Sequence, residues 1–235
     1  MDYPTDPSDF DLCIARAKVE YANRGLDDAD TSINSLMVWH SGKFDVERLS
    51  RFTELTSLRV AGWYGDSLDA LINMPKLEHL FIYMLPHITS FEPLSKLNEL
   101  RHVEFSINHW ADLQDISSFS PFGKLQHLSY LRLYGFEPKD KDLSSLLAAP
   151  SLKIVELAYV FTLEQLSMAT QQRPDLADCF KPVIPHEVEC LKCGNHMVYL
   201  QGLVNTRRKR NLCSHCNRKR ISEHQTEFDE LFSSK

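Results

Sequence analysis

Four cysteines near the C-terminal end carry the strongest chemical signal in the sequence. They form two C-x-x-C pairs, Cys190 with Cys193 and Cys213 with Cys216. Two residues between paired cysteines allow one tight turn to direct both thiolates at the same metal ion, and a hairpin between the pairs completes a tetrahedron. Four thiolates close the coordination shell and leave no position for a catalytic water. The pattern therefore predicts one structural metal ion, with zinc favoured over iron.

This cysteine spacing is similar to that of zinc ribbons, and the resemblance implies a small module held by one Zn²⁺ ion. So short a segment cannot bury enough apolar surface to fold alone, which is consistent with a structural role for the metal. Gly194 suits a knuckle turn after the first pair, and Met197 to Leu200 suit a strand. Three nearby histidines are predicted to be surface residues rather than ligands: His196, His215 and His224.

A basic run lies between the two cysteine pairs. It consists of Arg207, Arg208, Lys209 and Arg210, and Arg218-Lys219-Arg220 follows the second pair. Such runs can contact phosphates. They are explained equally well by solvation of an exposed hairpin or by docking on an acidic surface. Nucleic-acid contact through residues 207–210 is therefore kept as an alternative function.

One apolar pattern recurs upstream of the cysteines: an aliphatic residue, two others, a second aliphatic, one residue and a third apolar residue. It reads Ile33-Leu36-Val38, Leu55-Leu58-Val60, Leu77-Leu80-Ile82, Leu100-Val103-Phe105, Leu128-Leu131-Leu133 and Leu152-Val155-Leu157. In a strand, alternate side chains face opposite ways, so the second and third positions of each triplet point into the interior. A single unit cannot bury that face, whereas stacked neighbours can.

The array resembles leucine-rich repeats, whose period is about 20–29 residues, and the stretch from Ile88 to Leu97 is similar to the short, internalin-like class. The resemblance implies an α/β fold. A solenoid would have a parallel sheet on its concave face and short helices or 3₁₀ turns on its convex face, followed by the zinc-ribbon module. The predicted domains are an N-terminal helical cap at residues 1–25, the solenoid with a C-terminal capping helix at 26–180, and the zinc ribbon at 186–235.

Both ends of the array are predicted to carry helices. Residues 8–24 would form the first, with Ser8 as N-cap and Gly25 at the left-handed C-terminal position. Thr162 and Gln165 predict a capping box for the closing helix.

Two further stretches interrupt the regular pattern. The prolines within residues 181–185 predict a short stiff linker at the domain boundary. The longest interval between triplets contains residues 108–121, which predicts an insertion, and insertions in such arrays often lie on the binding face.

The outward positions of the predicted strands are rich in aromatic and charged residues. A merely solvated face would not require them, whereas aromatic and arginine side chains dominate the energetics of many interfaces. The predicted partner-binding residues are Trp39, Arg59, His79, Phe81, Tyr83, His102, Glu104, Tyr130, Arg132 and Tyr134. Residues beyond the strand ends are predicted to extend this patch along one rim: Trp63, Tyr64, Trp110 and Phe136. The alternative is that several of these aromatics pack against neighbouring repeats or the insertion.

Charge is distributed unevenly along the chain. From residue 181 onward there are ten Lys and Arg against six Asp and Glu, so this part is about +4, whereas residues 1–180 are about −10, for a total of −6. An acidic array is poorly suited to general nucleic-acid binding, because phosphate contacts need cationic surface. It favours a protein partner with a basic surface.

No catalytic motif is present, and eight glycines in the chain leave little room for a phosphate-binding loop. His79 and His102 are interpreted as surface residues of the sheet rather than an acid–base or metal pair. The predicted function is non-enzymatic protein–protein interaction, with an inhibitor or immunity protein that neutralises a toxin as the specific case. The alternative is a nucleic-acid-associated regulator that uses the basic zinc ribbon.

The N-terminal residues lack the pattern of a secretion signal, and no apolar run is long enough to span a membrane. Cysteines grouped as metal ligands favour a reducing compartment. The sequence therefore predicts a cytoplasmic protein without a membrane partner.

Overall fold

The computed structural model describes residues 8, 10–15, 19–39, 43–107, 113–157, 160–202 and 210–233. The chain divides into two compact units, Met1–Ala158 and Tyr159–Lys235. The domain boundaries predicted from the sequence, at residues 25, 180 and 186, stay predictions.

The first unit is organised around one parallel sheet. Its strands are β1 (Leu12–Ala15), β2 (Ser35–Trp39), β3 (Ser57–Ala61), β4 (His79–Tyr83), β5 (His102–Ser106), β6 (Gln114–Ile116), β7 (Tyr130–Tyr134), β8 (Phe136–Pro138) and β9 (Ile154–Leu157). Seven of them pair in the order β1-β2-β3-β4-β5-β7-β9, and β6 pairs with β8 in a separate two-stranded sheet. All six strands predicted from the triplets are confirmed.

The triplet side chains form the core of this unit. The second and third positions are buried in every repeat except the last, where Leu157 is half-buried. Burying one such aliphatic side chain contributes roughly 1.5–3 kcal/mol. Because equivalent positions of neighbouring strands are paired, such as Leu58 with Leu80 and Leu80 with Val103, the same face of every strand is buried.

Short helical turns connect the strands on the side opposite the concave face. They are the 3₁₀ helices Val46–Arg51, Asp69–Asn73, Glu92–Lys96 and Leu146–Ala148, and the one-turn helix α2 (Ser120–Gly123). The 3₁₀ helices that begin at residues 46, 69 and 92 end in the same way, with a backbone N–H donated to a buried leucine three residues earlier, as from Phe52 to Leu49. The expectation of 3₁₀-like turns on the convex side is confirmed.

The N-terminal end differs from the prediction of one helix over residues 8–24. Leu12–Ala15 is strand β1, and helix α1 spans Val19–Asp28, so Gly25 lies within a helix rather than after it. Strand β1 pairs in parallel with β2 and satisfies backbone groups that β2 would otherwise leave unpaired at the sheet edge. Asp11 reinforces the pairing by accepting hydrogen bonds from the N–H groups of Asn34 and Ser35, at 2.8 and 2.9 Å.

The second unit combines helices with a small antiparallel sheet. Its elements are α3 (Leu163–Gln172), the 3₁₀ helix Pro174–Phe180, β10 (Val183–Glu189), β11 (His196–Leu200), β12 (Asn211–Cys213) and α4 (Arg218–Ser233). The predicted capping box is confirmed, since Gln165 N–H donates to Thr162 Oγ1 at 3.2 Å and Thr162 N–H donates to Gln165 Oε1 at 2.8 Å. No helix in the described part of the chain is long and apolar enough to cross a bilayer.

The predicted stiff linker at residues 181–185 is wrong, because most of it belongs to strand β10. Val183 pairs with Leu200 and Pro185 pairs with Val198, and the register becomes irregular between Pro185 and Glu189. Proline cannot donate a ladder hydrogen bond and is therefore confined to edges and irregular positions of sheets. Strand β10 is an edge strand in the order β10-β11-β12, which accommodates the proline.

Candidate functional site

The predicted partner-binding side chains form three rows across the concave face. The first row pairs His79 with His102 and His102 with Tyr130; the second pairs Arg59 with Phe81, Phe81 with Glu104 and Glu104 with Arg132; the third contains Tyr83 and Tyr134 with Ser106 between them. Arg132 is exposed, and the other predicted residues are half-buried. Side chains that are distant in sequence are therefore neighbours on one surface.

Glu104 connects several charged side chains in these rows. Its Oε1 lies 2.7 Å from His102 Nε2, and its Oε2 lies 3.7 Å from Arg132 Nη1. Burial of the carboxylate opposes ionisation, yet the hydrogen bond and charge of His102 and the charge of Arg132 prevail and lower the pKa of Glu104. Glu104 therefore stays ionised within a surface of mixed charge.

Glu156 extends this connected group to the last strand. Its Oε2 lies 3.1 Å from Arg132 Nε, and its Oε1 accepts a hydrogen bond from the Tyr130 hydroxyl at 3.0 Å. Burial and the charges of Glu156 and Glu104 raise the pKa of Tyr130, so its hydroxyl remains a donor. Glu156 was not among the predicted site residues. The alternation of charge at one register position, Glu104, Arg132 and Glu156, was the signal that could have identified it.

The two concave histidines pack against each other rather than converging on a metal site. The ring centroids of His79 and His102 are 6.1 Å apart, and the His102 ring stacks on Tyr130 at 4.2 Å and 12°. Burial, followed by the charge of His102, lowers the pKa of His79. Within the described ranges, the four cysteines are the only group of three or more His, Cys, Asp or Glu whose ligand atoms converge.

Two aromatic rings lie against Arg59 at the N-terminal end of the concave face. The Arg59 guanidinium carbon lies 4.2 Å from the Phe81 ring centroid and 5.2 Å from that of Trp39, within the range of cation–π attraction. Trp39 also lies 6.2 Å from Phe81 and 6.3 Å from Tyr83, between centroids. Its neighbour on the next strand, Ala61, is small and buried, which leaves room for the indole to reach strand β4.

The predicted rim extension is wrong for two of its four residues. Trp63 is fully buried, and its indole N–H donates to the Ser67 carbonyl at 3.0 Å. Phe136 is fully buried and meets Phe91 edge-on at 5.4 Å between centroids. Tyr64 is half-exposed, with the Lys43 ammonium 5.5 Å from its ring centroid. Trp110 lies outside the described residues.

The four cysteines of the second unit converge at one point. The ligand sulfur atoms of Cys190, Cys193, Cys213 and Cys216 all lie within 4.8 Å of one another. The Cys193 sulfur is 3.4 Å from that of Cys213 and 3.5 Å from that of Cys216. A tetrahedral zinc site with bonds of about 2.3 Å places its sulfurs roughly 3.8 Å apart, so the geometry fits a single ion.

Local backbone geometry forms the turn of the first pair. Gly194 has a φ of +71° and its N–H donates to the Cys190 carbonyl at 2.8 Å, which is the left-handed conformation that glycine adopts without steric cost. Hydrogen bonds from the backbone and side chain of Asn195 lower the pKa of Cys193, whereas hydrogen bonds with Cys193 and Cys213 raise the pKa of Cys216. Strand β11 confirms the strand predicted at Met197–Leu200.

Some histidines and basic residues of this unit are exposed, and others contact neighbouring groups. His196 and His215 are exposed, as predicted, whereas the prediction for His224 is wrong. His224 is buried, with Nε2 2.7 Å from the Gln201 carbonyl, because α4 directs it at the end of β11. Arg210 donates to the Tyr199 hydroxyl at 3.3 Å. The other residues of the predicted nucleic-acid contact, Arg207, Arg208 and Lys209, lie outside the described residues.

Parallel strands in register, apolar triplets on their buried side and 3₁₀ turns between them define a leucine-rich repeat solenoid. The same chain carries a four-cysteine cluster able to bind a metal ion.

Two solved structures from Listeria monocytogenes are similar to this chain. Internalin C2 is 23% identical with a TM-score of 0.43, and the match covers 55% of this chain and 53% of that chain. An internalin designated inlF is 18% identical with a TM-score of 0.43, and the match covers 69% of this chain and 46% of that chain. The chain thus spans about half the length of each. No family model and no curated protein matches it.

Proposed function

We propose that this chain is a non-enzymatic binding protein whose protein partner docks on the concave face. The proposal is carried by the three rows of aromatic and charged side chains on strands β3 to β5 and β7, together with Trp39 on β2. All of them are half-buried except Arg132, which is exposed, so each keeps accessible surface. Aromatic and arginine side chains bury large areas and hold polar groups, which suits them to binding energy at interfaces. Several are already positioned by their neighbours, which lowers the cost of ordering them on binding.

The acidic charge of residues 1–180 supports a partner with a basic surface, because opposite charge accelerates encounter and disfavours wrong partners. An inhibitor or immunity role that neutralises a toxin, and a cytoplasmic location, are narrower predictions motivated by size, charge and cysteine usage.

Affinity purification of the full chain, followed by measurement of the recovered partner's affinity, tests the concave face. Replacing Phe81 and Tyr134 together with alanine should weaken binding by roughly 2–4 kcal/mol, because both aromatics are anchors outside the core. The melting temperature should change little. A matched control replaces Lys96 and Gln126, which are exposed and lie outside the sheet, with alanine. Equal affinity of both double variants, or a large loss of stability in the first, would contradict the proposal.

We infer that the cysteine cluster binds one Zn²⁺ ion with a structural role. Four converging sulfurs and a turn shaped for the first cysteine pair support this assignment. Thiolate-only ligation favours zinc among the common divalent ions and leaves no open position for catalysis.

A second candidate function is nucleic-acid contact by the cysteine module. It is favoured by the exposed side chains of Arg218 and Lys219, which begin helix α4 directly after the second cysteine pair. Binding to DNA or RNA that falls steeply with salt, and that is lost when residues 207–210 are neutralised, would favour this candidate.

A further inference from the structure

Arg59 differs from Arg132 in what holds its guanidinium. Both belong to the second row of the concave face, but Arg132 contacts the carboxylates of Glu104 and Glu156. Arg59 instead lies against the rings of Phe81 and Trp39. Among the described residues, Arg59 has no carboxylate partner, and its Nε is buried without a hydrogen-bond acceptor.

Glu104 is the carboxylate nearest to Arg59 in this row, and both of its oxygens contact other side chains. Oε1 contacts His102 at 2.7 Å, and Oε2 faces Arg132 at 3.7 Å. The charge of Arg59 contributes to the lowered pKa of Glu104. The two groups therefore interact electrostatically, although they form no ion pair. The guanidinium of Arg59 therefore retains hydrogen-bonding capacity that the described chain does not use.

Aromatic contacts orient Arg59 without consuming its donors. A guanidinium that lies against a ring face keeps its N–H groups at the edge of its plane, and those groups form a planar fork matched to a carboxylate. Its weak hydration and restricted side chain reduce the cost of forming such a pair. The arrangement is typical of a preorganised anion receptor with an apolar wall.

We propose that Arg59 binds one carboxylate of the docked protein partner, from an aspartate or glutamate, while Trp39 and Tyr83 cover an apolar side chain beside it. This proposal rests on the proposed function, because it needs a partner on the concave face. Charge complementarity favours an acidic side chain at this position, because Arg59 is a local positive charge within an acidic repeat array. The partner thus combines a largely basic surface with one acidic residue that enters here.

A library of random peptides displayed on phage and panned against the full chain tests the proposal before the partner itself is isolated. We expect the recovered peptides to contain an acidic residue next to an aromatic or aliphatic one. The affinity of a synthetic peptide of this kind should fall roughly ten- to hundredfold in Arg59→Gln, as expected for a charge-assisted hydrogen bond. Replacing the acidic peptide residue with its amide should cause the same loss, and the two changes together should cause no more.

Two controls separate the carboxylate contact from other effects. Arg101→Gln removes an arginine that pairs with Glu78 outside these rows and should leave peptide affinity unchanged. Arg59→Lys keeps the charge but not the planar fork and should lose most of the affinity. Urea unfolding of each variant confirms that it folds, and the peptide amide variant tests the contact on unaltered protein.

The outcomes distinguish this proposal from the proposed function. Peptide affinity could fall when Phe81 and Tyr134 are replaced, yet stay unchanged in Arg59→Gln and with the amide peptide. That result would overturn the carboxylate site and leave the concave face as the binding surface. Peptides that are unaffected by either set of changes, or a library that yields no specific binder, would contradict both. Non-additive loss between Arg59 and the acidic peptide residue would establish the contact.

Discussion

Glu104 is the residue through which the charged side chains of the concave face are connected. It contacts His102 and Arg132, and Arg132 in turn contacts Glu156. Such partly exposed pairs contribute little individually, whereas a connected group is held in one arrangement. The network therefore fixes the positions of side chains that a partner would meet.

The lowered pKa of Glu104 predicts a dependence of stability on pH. Because its pKa in the folded chain is below the ordinary value of 4.5, the carboxylate contributes stability that is fully present above about pH 4.5 and is lost as pH falls through the folded pKa. The difference in free energy of unfolding between the wild type and Glu104→Gln should be largest near neutral pH and should shrink in acid. Urea unfolding at a series of pH values measures it, and a difference independent of pH would contradict the assignment.

For individual residues, the alternation of side-chain direction along a strand was sufficient to predict which concave side chains face outward, including Phe81 and Arg132. It could not predict that Trp63 is buried, because residues beyond the end of a strand do not follow this alternation. It also could not predict that Trp39 reaches across strand β3 to the rings of Phe81 and Tyr83 on β4. Those contacts depend on the small size of Ala61, which is a property of the paired strand rather than of local sequence.

Among the secondary-structure elements, those specified by local pattern were predictable. The six repeat strands and the ends of α3 follow from apolar spacing and capping residues. Strands β1 and β10 do not, because each is stabilised by pairing with a neighbour. Residues 10–15 carry apolar side chains that suit either a helix or an alternating strand, and the open edge of β2 decides between them. The prolines around β10 indicate a linker unless its edge position is known.

Helix α3 offers a test of the capping box in which the control lies in the same helix. Thr162→Ala should destabilise the second unit by about 0.5–2 kcal/mol, because the N–H of Gln165 loses its acceptor. Thr170→Ala is the matched control. The Thr170 hydroxyl donates to a carbonyl already within the helix, and alanine has the higher helix propensity, so this variant should be neutral or slightly stabilising. Equal thermal shifts in the two variants would exclude a capping role for Thr162.

Across the whole molecule, the two compact units have different sources of stability. The repeat unit buries a continuous apolar ladder, whereas the second unit contains the cysteine cluster and fewer fully buried side chains. Small modules of the latter kind commonly depend on a metal or disulfide for folding.

Metal removal should therefore separate the two units. We expect freshly purified protein to contain close to one zinc per chain, and a strong chelator to unfold the cysteine module while the repeat strands keep their protection from hydrogen exchange. Cys213→Ser should have the same effect without a chelator. Cys13→Ser, which alters a cysteine outside the cluster, should leave zinc content unchanged. Zinc well below one equivalent in the wild type would count against the assignment.

The second concave row continues to Glu156 on β9, and the order of charges along it affects which strands pair during folding. Stacked repeats resemble one another, so a chain that skips one unit could form a shorter stack with the same apolar core. Here Glu104, Arg132 and Glu156 occupy equivalent positions on consecutive strands of the sheet. A stack that omitted β7 would place Glu104 against Glu156, and like charges directly opposite are unfavourable. The alternation thus favours the correct succession of strands over misassembled stacks that the leucines alone would tolerate.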